Sequence, residues 1–177
     1  MTLYLAHHGI KGQKWGVRRT PEQLGHVKVP KNTTHLKGYS GDLYFISEKP
    51  LKTKTLEPRI PSNFLTKHGY EDTAQPRVCF SNNVGKCLTA LSSNVSGKNF
   101  YVYKPDDVKK YKVFKPNEKA VPDSKITNEL WVTEPVNLIT VGKIKCTGDD
   151  GSEGMKYKYG NNTAELYNWN YEWIKKK

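Results

Sequence analysis

Side chains that could do chemistry are concentrated between residues 57 and 81. Arg59 and Arg77 carry guanidinium groups, which suit phosphate because the planar fork makes two parallel, charge-assisted hydrogen bonds. Arg59 lies between Pro58 and Pro61, on a backbone that proline stiffens. The pattern predicts that both arginines bind a nucleotide. A solvent-exposed ion pair with a nearby glutamate is the alternative for Arg59.

The same stretch contains a histidine and a pair of adjacent carboxylates. His68 could act as a general acid or base because its unperturbed pKa lies near neutrality. The alternative is a histidine that is merely exposed on a loop. Glu71 and Asp72 could bind ribose hydroxyls or pair with Arg77, and on charge alone the ion pair with Arg77 is the favoured interpretation.

Several well-known catalytic templates are absent from the sequence. It contains no GxxxxGK[ST] loop, no GxGxxG after a predicted strand, no HExxH and no GxSxG. Three cysteines without CxxC spacing indicate reduced core thiols. Adjacent His7 and His8 have no further ligand nearby, so we predict no metal site.

The charge of the chain is strongly basic and unevenly distributed. Its 177 residues include 29 Lys and Arg against 17 Asp and Glu, which gives a net charge of +12. The basic side chains are dense before residue 38 and at the end of the chain, in Lys175, Lys176 and Lys177. This balance favours polyanionic partners such as nucleic acid or nucleotides, with a solubilising lysine surface as the alternative.

Composition shifts divide the chain into two parts. Residues 1–40 are predicted to be a basic N-terminal docking peptide and linker, and residues 41–177 a single α+β domain that resembles nucleotide-binding domains. Within the peptide, residues 3–19 could dock on a protein partner or on the domain itself. Trp15 among basic side chains could instead stack on bases of nucleic acid. The sequence contains no signal-peptide core and no apolar run of the ~20 residues that a membrane span needs, so we expect no membrane contact.

Hydrophobic patterning predicts an α+β fold with a small mixed, mainly antiparallel sheet, one central helix and a C-terminal helix. Strands are predicted around Leu43–Ser47, Arg77–Phe80, 99–104, 111–115, 129–132 and 136–146. A helix capped by Ser81, Asn82 or Asn83 is predicted to run from Val84 toward Gly97. In the segment Thr163–Ile174, apolar residues at spacings of three and four predict the terminal helix.

Two resemblances add to these predictions. The segment HGIKGQKWGVRR, residues 8–19, resembles a short motif near the ends of diverse proteins from tailed phages and prophages of Gram-positive bacteria. The order LYFIS, RVCFS with a helix, and NELWVTEPVNLITVGKI, over residues 42–146, resembles ADP-ribosyltransferase folds, including the RNA 2′-phosphotransferase branch. The first resemblance implies a phage or prophage protein in the host cytoplasm or associated with the virion.

The second resemblance implies a site that binds NAD. Ser81 would match the family's second motif residue and Glu129 the third, where Glu129 would hold a ribose hydroxyl and stabilise developing positive charge. Tyr44 or Tyr70 would stack on a ring. The family's first basic residue falls near Phe45 here, so Arg59 or Arg77 would have to supply the cation. Alternatives are a strand-end Glu129 facing water, a non-catalytic nucleotide binder, and a virion or assembly protein that binds DNA or capsid.

Overall fold

Runs of β-branched and aromatic residues between prolines and glycines form eleven strands in the described part of this chain. The computed structural model describes residues 28–91 and 95–175. The strands in these ranges are β1 Thr33–His35, β2 Phe45–Ser47, β3 Thr55–Leu56, β4 Val78–Ser81, β5 Asn99–Pro105, β6 Val113–Pro116, β7 Glu129–Val132, β8 Val136–Asp149, β9 Met155–Tyr159, β10 Asn162–Leu166 and β11 Trp169–Trp173.

Three short α-helices connect these strands: α1 Phe64–Lys67, α2 Val84–Ala90 and α3 Ser124–Thr127. Asparagine side chains begin the first two, because each accepts a hydrogen bond from a backbone N–H in the first turn. Asn83 caps α2, as one of the three predicted candidates. The helix ends at Ala90, well before the predicted end at Gly97. α1 and α3 were not predicted.

All pairings among the described strands are antiparallel. One sheet has the order β1-β6-β7-β4, a second has the order β11-β8-β5-β2 with β3 added to β8, and β9 pairs with β10 alone. The α+β prediction with mainly antiparallel strands is therefore confirmed in this coarser form. The strands form separate sheets rather than the single mixed sheet that was predicted.

Two apolar clusters lie on opposite faces of β5, because consecutive strand residues point to opposite sides. Val102 joins a cluster beneath α2 that includes Leu88 and Ile144, whereas Tyr103 joins a cluster with Phe80 and Val132 of the first sheet. The second sheet is thus buried on both sides near its middle. This arrangement places β2 and β4 side by side at the junction of the two sheets.

The predicted C-terminal helix is wrong, since residues 162–173 form β10 and β11. Gly160 has φ +55° and lies in a two-residue connection between Tyr159 and Asn162, which are paired across the hairpin. Glycine in such a turn is a strong hairpin signal. Trp169 and Trp173 also fit a period of two, and the pairing of β11 with β8 selects that period.

Part of the predicted linker is also structured. Thr33–His35, inside the segment assigned to the linker before residue 41, forms β1 and pairs with β6. The predictions for the docking peptide at residues 3–19, including its metal and nucleic-acid alternatives, lie outside the described residues. Among the helices of the described ranges, none is long and apolar enough to cross a bilayer.

Candidate functional site

A small cavity lies where the two sheets meet. Tyr44, just before β2, makes a backbone bridge to Ser81 at the end of β4, with N···O distances of 2.7 and 3.0 Å. Beside this bridge, a cavity of about 160 Å³, here called the inter-sheet cavity, is lined by Tyr44, Phe45, Ile46, Cys79, Phe80, Ser81, Cys87, Ala90, Leu91, Thr127 and Glu129. Three predicted site residues, Tyr44, Ser81 and Glu129, therefore line one cavity.

The register of β4 and β7 brings Ser81 and Glu129 together. The two residues are directly paired in the antiparallel ladder, so their side chains lie on the same face. Asn128 has φ +50°, a left-handed conformation that asparagine tolerates, and it turns the chain from α3 into β7. Buried Ser81 donates its hydroxyl to the carbonyl oxygen of Thr127 at 2.6 Å. The serine thus fixes the turn from which Glu129 emerges.

The carboxyl group of Glu129 is partly buried and has an unusual ionisation. Burial, followed by the negative charge of Glu71, raises its pKa from 4.5 to about 7. Trp131 donates its indole N–H to Oε1 of Glu129 at 2.5 Å, and this bond favours the charged form. Close to neutral pH, Glu129 is therefore divided between its neutral and its charged state.

A second carboxyl group near this face has a raised pKa as well. Burial and the charge of Glu71 raise the pKa of Asp123, the residue before α3, from 3.8 to about 6. Burial and the charge of Asp123 raise the pKa of Tyr157 to about 12. Glu129, Asp123 and Tyr157 therefore all have raised pKa values, in each case chiefly because of burial.

Arg77 is the cation of this buried region and does not line the inter-sheet cavity. Its side chain is fully buried, forms an ion pair with Glu71, and lies 3.7 Å from a carboxylate oxygen of Asp72. Its guanidinium carbon lies 4.2 Å from the ring centroid of Trp131, in a cation–π contact. The favoured interpretation of Glu71 and Asp72 as partners of Arg77 is confirmed by these contacts. Arg77 itself has no free face for a nucleotide phosphate.

Arg59 is exposed and also lies away from the inter-sheet cavity. Its backbone pairs with that of Arg77, with N···O distances of 3.1 and 3.0 Å. The prediction that it binds a nucleotide thus has no support from the position of the cavity. In the described part of the chain, no arginine or lysine lines that cavity.

His68 and Tyr70 belong to an aromatic cluster around α1. The His68 ring centroid lies 4.2 Å from that of Phe64 and 6.4 Å from that of Tyr70, and Tyr70 packs edge-on against Tyr159 at 5.1 Å. Nδ1 of His68 lies 2.9 Å from the carbonyl oxygen of Phe64. None of these rings lines the inter-sheet cavity. His68 and Tyr70 therefore do not join Glu129 and Ser81 in one site.

Sequence reasoning missed Trp131, Cys79 and Thr127. Cys79 lines the cavity, and burial, followed by the negative charge of Glu129, raises the pKa of its thiol well above the ordinary value. The signal for two of them was the alternation in RVCFS and ELW, which places Cys79 with Ser81 and Trp131 with Glu129. Nothing local to Thr127 indicated that its carbonyl would accept a hydrogen bond from residue 81.

The lining of the inter-sheet cavity is mainly apolar, with a few polar groups. The polar groups are the hydroxyls of Tyr44, Ser81 and Thr127 and the carboxyl group of Glu129. Such a lining suits a ring or a sugar, whereas a diphosphate needs cations or free N–H groups. Within residues 28–91 and 95–175, no group of three or more His, Cys, Asp and Glu side chains is arranged to hold a metal ion.

Comparisons with known proteins reach only the first part of the chain. A family model described as a family of unknown function, DUF7211, matches residues 1–22. No curated protein and no solved structure matches the chain significantly.

Proposed function

We propose that the inter-sheet cavity binds the base-and-sugar end of NAD or of a related nucleotide, and that the protein transfers the ADP-ribosyl group to a target molecule. The observation that carries the proposal is the convergence of Tyr44, Ser81 and Glu129 on one cavity. These residues come from three separate parts of the chain, and each was assigned to a nucleotide site from the sequence.

The transfer can be written with roles for Glu129 and Tyr44. The bond between ribose C1′ and the nicotinamide nitrogen breaks, and its electron pair leaves with nicotinamide. A nucleophile of the target then bonds to C1′ and loses a proton to solvent. The carboxylate of Glu129 holds a ribose hydroxyl and stabilises the positive charge that develops on the sugar, while the Tyr44 ring packs against the base.

The size of the cavity limits what can be enclosed. A volume of about 160 Å³ is below the ~300 Å³ at which sites for drug-sized ligands begin. The cavity therefore encloses a ring and part of a sugar, and the diphosphate and adenosine lie outside it. This arrangement requires that binding energy come mainly from the enclosed end of the ligand.

A second function, binding of a nucleotide signal without transfer, is favoured by the absence of a cation from the described lining of the cavity. Arg77 forms an ion pair with Glu71 in the protein interior, and Arg59 is exposed and does not line the cavity. A transferase gains from a fixed diphosphate because the ribose C1′ of the transferred group must be held in line with the incoming nucleophile. A protein that only sequesters the ligand has no such need.

Calorimetry with NAD, ADP-ribose and nicotinamide, combined with detection of released nicotinamide, tests both functions on the full chain. For a transferase, Glu129→Gln should lower turnover about a hundredfold or more, because a neutral amide cannot stabilise the developing charge. The exposed Glu172→Gln serves as the matched control and should leave turnover unchanged.

Each result separates the alternatives. Binding with no released nicotinamide supports sequestration and overturns transfer. Turnover that survives Glu129→Gln overturns the role of Glu129. If none of the three compounds binds the purified protein, both functions are excluded for NAD and ADP-ribose.

A further inference from the structure

Trp131 is a large, fully buried side chain that touches Glu129 without lining the inter-sheet cavity. Its indole N–H donates to Oε1 of Glu129 at 2.5 Å. On one face, the indole ring is held in place by Arg77, whose guanidinium carbon lies 4.2 Å from the ring centroid. Arg77 in turn is fixed by its buried ion pair with Glu71.

Neighbouring strands immobilise the indole ring from its other sides. Trp131 pairs with Cys79 across the β4–β7 ladder and with Phe114 across the β6–β7 ladder. It also belongs to a small apolar cluster with Phe114, Ala120 and Val121. A ring packed in this way loses no further rotamer freedom when it donates a hydrogen bond, so its N–H is a preorganised donor.

We infer that Trp131 is a positioning residue, whose indole N–H fixes the orientation of the Glu129 carboxylate and favours its charged form, while the Arg77–Glu71 ion pair holds the indole in place. Its part in ADP-ribosyl transfer rests on the proposed function. The coupling between Trp131 and Glu129 does not depend on it.

The groups around Glu129 have opposite effects on the ionisation of its carboxyl group. The negative charges of Glu71 and Asp123 oppose ionisation, and burial opposes it most. The hydrogen bond from Trp131 favours the carboxylate. Because a charge-assisted hydrogen bond is about twice as strong as a neutral one, loss of the indole donor should shift the balance toward the neutral acid.

The unmodified full-length protein provides the first test. In ¹⁵N-resolved NMR spectra recorded from pH 5 to pH 9, the indole N–H resonance of Trp131 should move with a midpoint near 7, because its acceptor changes charge. The same resonance should not move in Glu129→Gln. A Trp131 resonance that is insensitive to pH while the Glu129 carboxyl carbon titrates would overturn the inference.

Trp131→Phe provides the second test, since it removes the N–H donor but keeps an aromatic ring beneath Arg77. The titration midpoint of the Glu129 carboxyl carbon should rise by about one pH unit. Trp169→Phe is the matched control, because the buried Nε1 of Trp169 has no hydrogen-bond partner in the described part of the chain. It should leave the midpoint unchanged.

Measurement of turnover provides a third test, which depends on the proposed function. If the protein transfers ADP-ribose, Trp131→Phe should lower kcat about tenfold at pH 6.5 and much less at pH 8.5, with little change in KM. An equal loss at both pH values, or an unchanged carboxyl midpoint, would overturn the positioning role. A protein without turnover would still show the NMR coupling, so failure of the proposed function is distinguished from failure of this inference.

Discussion

Ser81 and Glu129 are paired across the β4–β7 ladder, yet the serine hydroxyl donates to the backbone carbonyl of Thr127 at 2.6 Å. This contact ties the end of β4 to the last residue of α3, two residues before the glutamate. The resemblance to ADP-ribosyltransferases matched Ser81 to the second motif residue of that family and Glu129 to the third. In the structure, the hydroxyl of Ser81 binds the backbone two residues before Glu129.

Ser81→Ala should lower the free energy of unfolding by about 1–3 kcal/mol, because the buried carbonyl oxygen of Thr127 loses its hydroxyl donor. Urea denaturation followed by circular dichroism measures the change. Ser62→Ala is the control, since Ser62 is exposed, and it should stay within about 0.5 kcal/mol of the unmodified protein. A stable Ser81→Ala protein would show that the hydroxyl contributes little to the fold.

The pKa of Glu129 predicts that the fold loses stability as the pH rises. A folded-state pKa of about 7 lies above the ordinary value of 4.5, so the native state binds more protons between these two values. Unfolding free energy should therefore fall through this window and level off above pH 7. Asp123, with a pKa raised to about 6, should contribute in the same direction between pH 4 and pH 6.

Glu129→Gln removes the first of these contributions. At pH 8 the amide cannot ionise, so the variant should be more stable than the unmodified protein by about 1–3 kcal/mol. Near pH 4, where both side chains are neutral, the two proteins should unfold at similar urea concentrations. A variant that is destabilised equally at both pH values would contradict the raised pKa.

Arg77 and Arg59 should differ sharply when each is replaced. Arg77→Met leaves the buried carboxylate of Glu71 without its cation, which should cost about 3–5 kcal/mol. Arg59→Met removes an exposed side chain and should change stability by less than about 0.5 kcal/mol. Thermal unfolding of both variants checks the contrast.

A double variant separates loss of the ion pair from loss of packing. Arg77→Met combined with Glu71→Gln removes both charges, so it should recover part of the stability that Arg77→Met alone loses. If the double variant is less stable than either single variant by an additive amount, the ion pair is not the source of the cost.

Patterns of apolar residues predicted β4, β5, β7 and the start of α2, because each is short, bounded by turn residues and confined to one period. They could not predict which strands pair. β7 and β8 follow each other through Glu134 and Pro135 but belong to different sheets, since pairing depends on contacts that are distant in sequence.

The sequence identified those residues of the candidate site whose own side chains suggest a chemical role. Glu129 and Ser81 were identified from a motif resemblance, and the ladder brings them together. Arg77 was assigned to a ligand because charge suggested phosphate. In the structure Arg77 is buried, and a fully buried guanidinium needs a counter-ion within the protein, which is Glu71. The sequence does not show how deeply a loop arginine is buried.

The hairpin that replaced the predicted helix offers a last test at Gly160. This residue has φ +55°, and a Cβ added to it would lie 2.7 Å from Cε1 of Tyr70. Gly160→Ala should therefore lower the free energy of unfolding by about 1–2 kcal/mol because of the left-handed backbone, and by a further amount because the Tyr70 ring is displaced.

Gly151→Ala separates the two contributions, since Gly151 has φ +72° but no heavy atom within 4 Å of the added Cβ. Urea denaturation should show a larger loss for Gly160→Ala, and NMR should show altered His68 ring signals in that variant alone. Equal losses in the two variants would mean that the hairpin does not press against the aromatic cluster at α1.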